Sequence, residues 1–161
     1  MNHLATPQPR NPATLPFRIL NAIAPTRICD NGGWTDTWFA EYGSIFNIAV
    51  SPYCEVQLCV FPRRDDRPRI VINAENYSDR YSRELGQPWQ KHPLIEATLE
   101  ILPPPADIAL EISLFSTMPP GASTGTSAAI TVALLGALDR LTEGQLGKAE
   151  IALLAQQVET V

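Results

Sequence analysis

Between Pro119 and Ala129 the chain reads Pro119-Pro120-Gly121-Ala122-Ser123-Thr124-Gly125-Thr126-Ser127-Ala128-Ala129. Small residues let backbone N–H groups come close to an anion, and Gly121 and Gly125 can take positive φ without a Cβ penalty. The hydroxyls of Ser123, Thr124, Thr126 and Ser127 can donate to phosphate oxygens or ligate Mg2+. A helix opening here would add its free N–H groups and its dipole. The chemistry such a segment suits is phosphate binding. The same residues also describe a tight strand-to-helix turn with an ordinary Ser/Thr cap, and by themselves they do not separate the two readings. The segment is not a Walker A loop, since it has no Gly-Lys-Ser/Thr and no lysine lies between Lys91 and Lys148. Nor is it a dinucleotide-binding fingerprint.

The segment resembles the P-x-G-x-G-L-G-S-S-A-A signature of the GHMP kinases, the family named for galactokinase, homoserine kinase, mevalonate kinase and phosphomevalonate kinase. Pro119, Gly121, Gly125, Ser127, Ala128 and Ala129 match it. Ser123 stands in place of the second glycine, Thr124 of the leucine and Thr126 of the first serine. Threonine keeps the hydroxyl, whereas a glycine at position 123 would have allowed strained backbone geometry. The resemblance implies that Pro119, Gly121, Ala122, Ser123, Thr124, Gly125, Thr126 and Ser127 wrap the phosphates of ATP, and that Ser127 helps hold Mg2+.

A second stretch, Ala24-Pro25-Thr26-Arg27-Ile28-Cys29-Asp30-Asn31-Gly32-Gly33-Trp34-Thr35-Asp36, is similar to the family's A-P-G-R-V-N-L-I-G-E-H-T-D. Ala24, Pro25, Arg27, Gly32, Thr35 and Asp36 match, while Gly33 and Trp34 replace Glu-His. The Gly-Gly-Trp-Thr-Asp version looks like the fucokinase and heptose-7-phosphate kinase branch. A sugar offers several hydroxyl donors, which an ionised carboxylate such as Asp36 accepts strongly. An arginine such as Arg27 can steady a transferring phosphoryl group. Alone, Asp36 would read as a turn residue and Arg27 as a surface charge. The resemblance makes Arg27 catalytic and places Asp36, Gly33 and Trp34 on the substrate side. It also implies that Glu159, on the last helix, faces the loop serine across Mg2+, although a solvated helix charge fits that residue as well.

Several elements must position these groups. Phe17–Ala24 alternates like a strand, and Asp30-Asn31-Gly32-Gly33 reads as a turn cluster. Ser44–Val50 and Tyr53–Phe61 are β-like runs separated by Ser51-Pro52, with Cys54, Val56, Leu58 and Val60 on one face. Pro62–Pro68 reads as a charged hairpin tip that returns Arg69–Asn73 as the next strand, with a weaker strand near Tyr77–Arg83. Pro93–Leu102 has helical spacing and stops at Pro103-Pro104-Pro105. Ile108, Leu110, Ile112 and Leu114 alternate as a strong strand, and the nearly all-apolar Ser127–Leu141 reads as a buried helix. The spacing of Thr142 and Gln145 predicts a capping box that opens the last helix. His92, before Pro93, reads as a surface or capping residue. The pattern predicts an α+β domain, a mixed sheet with helices on one face. The resemblance specifies the ribosomal-protein-S5-domain-2-like fold.

The 161 residues suffice for one domain, with residues 1–16 as a Pro-rich flexible tail and residues 17–161 as the GHMP kinase N-terminal domain. The family continues into a Gly-Asp segment carrying a catalytic aspartate and then a second domain, so the expectation is that this chain alone is inactive and self-associates through an uncovered face. A net charge of −5 argues against nucleic acid, including RNA binding by an S5-like domain. The cysteines Cys29, Cys54 and Cys59 have no metal spacing and read as small core residues. No apolar run is long enough for a membrane span and no signal peptide is visible, so the reading is cytoplasmic. The function implied is ATP- and Mg2+-dependent phosphorylation of a sugar or sugar phosphate at a hydroxyl, the anomeric one on the branch resemblance. The alternatives are a non-catalytic nucleotide-binding or regulatory module, and a kinase of the same family acting on a non-sugar alcohol.

Overall fold

A computed structural model describes residues 16–31, 42–119, 121–142 and 144–160. Its strands are β1 (Arg18–Asn31), β2 (Phe46–Pro62), β3 (Ile70–Ala74), β4 (Asp79–Arg83) and β5 (Ile108–Ser116). The helices are α1 (Pro93–Ile101), α2 (Thr126–Asp139) and α3 (Lys148–Glu159), with a short 3-10 turn at Glu75–Tyr77. The strands form one sheet in the order β1-β2-β5-β3-β4. Neighbours are antiparallel except β3 and β5, which run parallel. The expected α+β architecture is therefore present. Cys54, Val56, Leu58 and Val60 of β2 are buried with Leu110, Ile112 and Leu114 of β5 against α1 and α2. The other face leaves Ile19, Ile23 and Phe115 exposed, as one covered face requires.

The structure corrects the expected hairpin at Pro62–Pro68. β5 lies between β2 and β3, pairing with both, so this segment is a crossover around the end of β5, where the Arg63 N–H donates to the Asp107 carbonyl at 2.8 Å. The reason lies in β5 itself: its alternate residues Leu110, Ile112 and Leu114 are at most 3% exposed, and a strand so apolar belongs at the centre of the sheet. Ser51-Pro52 does not separate two strands. β2 passes through it with a register shift opposite Pro25/Thr26, a bulge of the kind that accommodates proline, and the Thr26 hydroxyl donates to the Pro52 carbonyl at 2.8 Å. β1 continues to Asn31, so the predicted turn does not begin at Asp30. Cys54 is buried and Cys59 half-buried, but Cys29 is exposed on β1 and is not a core residue.

The last helix starts at Lys148 rather than at Thr142. The Thr142 hydroxyl turns back to the Asp139 carbonyl at 2.8 Å, and Gly144 takes φ +64°, which ends α2 and opens a loop. The Glu150 carboxylate then accepts the Gly147 N–H at 2.7 Å, capping α3 in place of the expected pair.

α1 carries a buried carboxylate that ties the preceding loop to the sheet. Glu96 accepts from the Tyr81 hydroxyl at 2.7 Å and from the backbone N–H groups of Gln90, Lys91 and His92 at 2.8, 3.1 and 3.2 Å. It also pairs with buried Arg83 of β4, whose guanidinium reaches Glu100 at 2.8 Å. Burial works against the charge on Glu96, but the Tyr81 and backbone donors outweigh it and hold its pKa below the ordinary glutamate value. Burial, followed by Glu96, pushes the Tyr81 phenol up. With a folded pKa below the unfolded one, the Glu96 contribution is complete above the ordinary glutamate range and is lost as pH falls through the lowered value. Glu96→Gln is therefore expected to cost about 3 kcal/mol at pH 7, because Arg83 loses a buried partner, and less as the solution is acidified. Urea unfolding at pH 7 and pH 3 checks this; an equal deficit at both pH values contradicts it.

Candidate functional site

The loop between β5 and α2 enters from buried Ser116 and leaves through Gly125, the N-cap of α2. No side chain caps that helix, so its first N–H groups have no capping acceptor. Within the loop Gly121, Ser123 and Gly125 have φ of +81°, +54° and +66°. Positive φ at alternate positions makes the loop fold back tightly on itself, and the Ala122 N–H meets the Pro119 carbonyl at 3.3 Å. Ser123, which occupies the position where a glycine was expected, holds a left-handed conformation that costs a non-glycine residue about 1–2 kcal/mol. The loop lines a cavity of about 310 Å³, bordered on its other side by Asn76, Tyr77 and Ile130.

β1 runs alongside this loop. The Arg27 N–H donates to the Thr124 carbonyl at 2.9 Å. Its side chain lies over Gly125, where a Cβ would stand 2.8 Å from Arg27 Nε. That contact, together with φ +66°, is a double reason for glycine at position 125. The Arg27 side chain forms no ion pair among the described residues, so a positive charge is available beside the helix N-terminus. From the other side α3 brings Glu159, whose Oε1 lies 3.4 Å from the Ser127 hydroxyl. The Thr124 and Thr126 hydroxyls are 3.1 Å apart. Beneath the loop, Cys54 points its thiol at the Thr126 carbonyl, 3.7 Å away. Burial raises the Cys54 pKa, against a smaller opposing effect of Ser116, so this thiol is a packing group.

The structure thus gathers Arg27, Gly121, Ala122, Ser123, Thr124, Gly125, Thr126, Ser127 and Glu159, residues far apart in sequence, around one loop. Pro119 takes part through its carbonyl. Gly33, Trp34 and Asp36 lie outside the described residues. Asn76 and Tyr77 were not anticipated, since neither carries a motif and Tyr77 reads locally as the start of a weak strand. Tyr77 also lines a second cavity of about 180 Å³, with Lys91, His92 and Ser127. Its ring centroid is 5.1 Å from that of His92. His92 sits at the N-cap of α1, as expected, and its Nε2 is 3.1 Å from Asp79 Oδ2.

Comparison with known proteins adds a family likeness over part of the chain. Residues 93–161, which hold α1, β5, the loop, α2 and α3, match the family model described as GHMP kinases N terminal domain. That segment is similar to the N-terminal domain of the GHMP kinases. A mevalonate kinase of Pyrococcus horikoshii is 29% identical over 94 residues, 57% of this chain and 28% of that protein. The heptose kinase fold is close as well: a D-glycero-D-manno-heptose 1-phosphate kinase from Bacteriodes thetaiotaomicron superposes with TM-score 0.70 at 22% identity, over 88% of this chain and 48% of that one. Lactococcus lactis galactokinase complexed with galactose gives TM-score 0.70 at 15% identity, over 89% of this chain and 38% of that one. The latter two likenesses establish the fold. The chain spans less than half the length of each of these relatives.

Within the β5–α2 loop Ser123 is the departure from the glycine pattern with a measurable consequence. Ser123→Gly is expected to keep the fold and raise stability by about 0.5–1 kcal/mol, the relieved left-handed strain being partly offset by the greater freedom of glycine in the unfolded chain. A denaturant midpoint lower than that of the wild type contradicts the assignment of strain to this residue.

Proposed function

We propose that the chain is the nucleotide-binding part of an ATP-dependent sugar kinase, with the triphosphate on the 121–127 loop and the nucleoside toward Tyr77. The observation that carries this reading is the approach of Glu159 to Ser127. A carboxylate at the mouth of a loop suited to anions would repel phosphate unless a cation stood between them. The donor set fits Mg2+ in kind: a hydroxyl and a carboxylate, two hard oxygens 3.4 Å apart, would hold the ion together with waters and phosphate oxygens. Once bound, the metal would neutralise charge on the transferring phosphoryl group.

The residues of the chain have distinct parts in this reading. The loop amides and the first turn of α2 bind phosphate oxygens. Arg27, lying over Gly125, supplies positive charge where negative charge develops. Asp36, Gly33 and Trp34 receive the acceptor, with Asp36 taking hydrogen bonds from sugar hydroxyls. Sugar or sugar phosphate is favoured as acceptor by the Gly-Gly-Trp-Thr-Asp motif and by the heptose 1-phosphate kinase and galactokinase among the structural relatives. A non-sugar alcohol is the second reading, favoured by the mevalonate kinase that matches in sequence.

Calorimetric titration of the 161-residue chain tests the nucleotide half. MgATP is expected to bind, with affinity falling at least about tenfold when Mg2+ is chelated or when Glu159→Gln or Ser127→Ala is introduced. Gly125→Val should also weaken binding, since the side chain collides with Arg27 at a positive φ. Affinity indifferent to Mg2+ and to Gly125→Val contradicts the site. The acceptor half is tested by titrating sugars, sugar phosphates, mevalonate and homoserine into the complex with a non-hydrolysable ATP analogue. Asp36→Ala is expected to weaken sugar binding alone; preferential binding of mevalonate would replace the sugar reading with the second.

A further inference from the structure

The parallel ladder between β3 and β5 pairs residues exactly forty apart, from Ile70↔Leu110 to Ala74↔Leu114. Carried on, this register would set Asn76 against Ser116, the last residue of β5. The backbone of β3 has already left the sheet there, turning into the 3-10 segment Glu75–Tyr77. The Asn76 side chain takes over the pairing. Its Nδ2 donates to the Ser116 carbonyl at 2.6 Å and its Oδ1 accepts the Ser116 N–H at 2.7 Å. A carboxamide presents one donor and one acceptor side by side, as a strand residue does, so it can replace a backbone partner.

Two consequences follow from this substitution of side chain for backbone. Ser116 stays fixed at the end of the ladder, and its hydroxyl accepts the Met118 N–H at 3.1 Å, so the constraint continues into the first residues of the phosphate loop. The backbone of β3 is meanwhile free to turn, which sets Tyr77 into the wall shared by the two cavities.

We infer that Asn76 is a positioning residue for the phosphate loop, acting through Ser116 rather than by touching the nucleotide. The inference rests on the proposed phosphate site and adds the residue that sets the loop's entry. Asn76 is exposed to the cavity, so replacing it leaves no buried hole, and the fold is expected to survive.

The test compares the wild-type chain with Asn76→Ala and Asn76→Asp by calorimetry, using MgATP and, separately, magnesium tripolyphosphate, which has the phosphates without the nucleoside. Both variants are expected to weaken both ligands by a similar factor, about tenfold. Aspartate fails like alanine because its carboxylate faces the Ser116 carbonyl without a donor. Hydrogen exchange at the Ser116 and Met118 amides should quicken in both variants while the centre of β5 stays protected. Loss of MgATP affinity with tripolyphosphate unchanged would mean that Asn76 meets the nucleoside, and overturns the inference. So does wild-type affinity in Asn76→Asp or in both variants. A wild-type chain that binds neither ligand overturns the phosphate reading itself, and the positioning role falls with it.

Discussion

The placement of β5 between β2 and β3 is the constraint from which the rest of the arrangement follows. Its buried Leu110, Ile112 and Leu114 require cover, and its edges find hydrogen-bond partners on both sides. A central strand is held along its whole length, so its C-terminal end is a fixed point. The loop that leaves Ser116 starts from that fixed point and ends on α2, a helix packed on β1 and β2 through Ala129, Ala133, Ala137 and their neighbours. Both ends of the loop are thereby anchored to the core. Rigid anchors let a loop keep strained residues such as Ser123 and uncapped donors at its helical end, a cost the surrounding packing must offset.

Charge is arranged around the loop with both signs. Arg27 approaches from β1 and Glu159 from α3, on elements at opposite ends of the chain. An arginine alone would describe a simple anion site. The added carboxylate next to a hydroxyl is the physical basis for the proposal that the site takes a hard cation and serves phosphoryl transfer rather than passive anion binding. A second charged network is built around Glu96. It shapes the 90–92 segment, whose Lys91 and His92 border the smaller cavity beside Tyr77.

Much of this was legible in the sequence where the determinant is local. The alternation in β5, the apolar run of α2 and the small-residue loop each announce themselves within a dozen residues, and the loop and Arg27 motifs together resemble those of the GHMP kinases. What was hidden depends on partners distant in the chain. Pro62–Pro68 has the same local character whether it closes a hairpin or crosses a third strand, and only the demand of β5 for a central position decides between them. Asn76 is an unremarkable polar residue until the register of β3 against β5 gives it Ser116 as a partner. The start of α3 was misplaced because Thr142 and Gln145 have capping spacing, yet Gly144 and the Asp139 carbonyl claim that stretch for a turn. Position 123 shows the reverse: a serine stands where glycine was expected and takes a positive φ that glycine would adopt without strain.

The central claim is that the β5–α2 loop receives phosphate, and amide-resolved NMR tests it most directly. Titration of the 15N-labelled chain with MgATP should shift the amides of Gly121 to Ala129 first and most, with smaller effects at Tyr77 and Glu159 and none at Ile19 or Ile23 on the open face of the sheet. Shifts centred on that open face, or a silent loop in the presence of saturating nucleotide, would contradict the account.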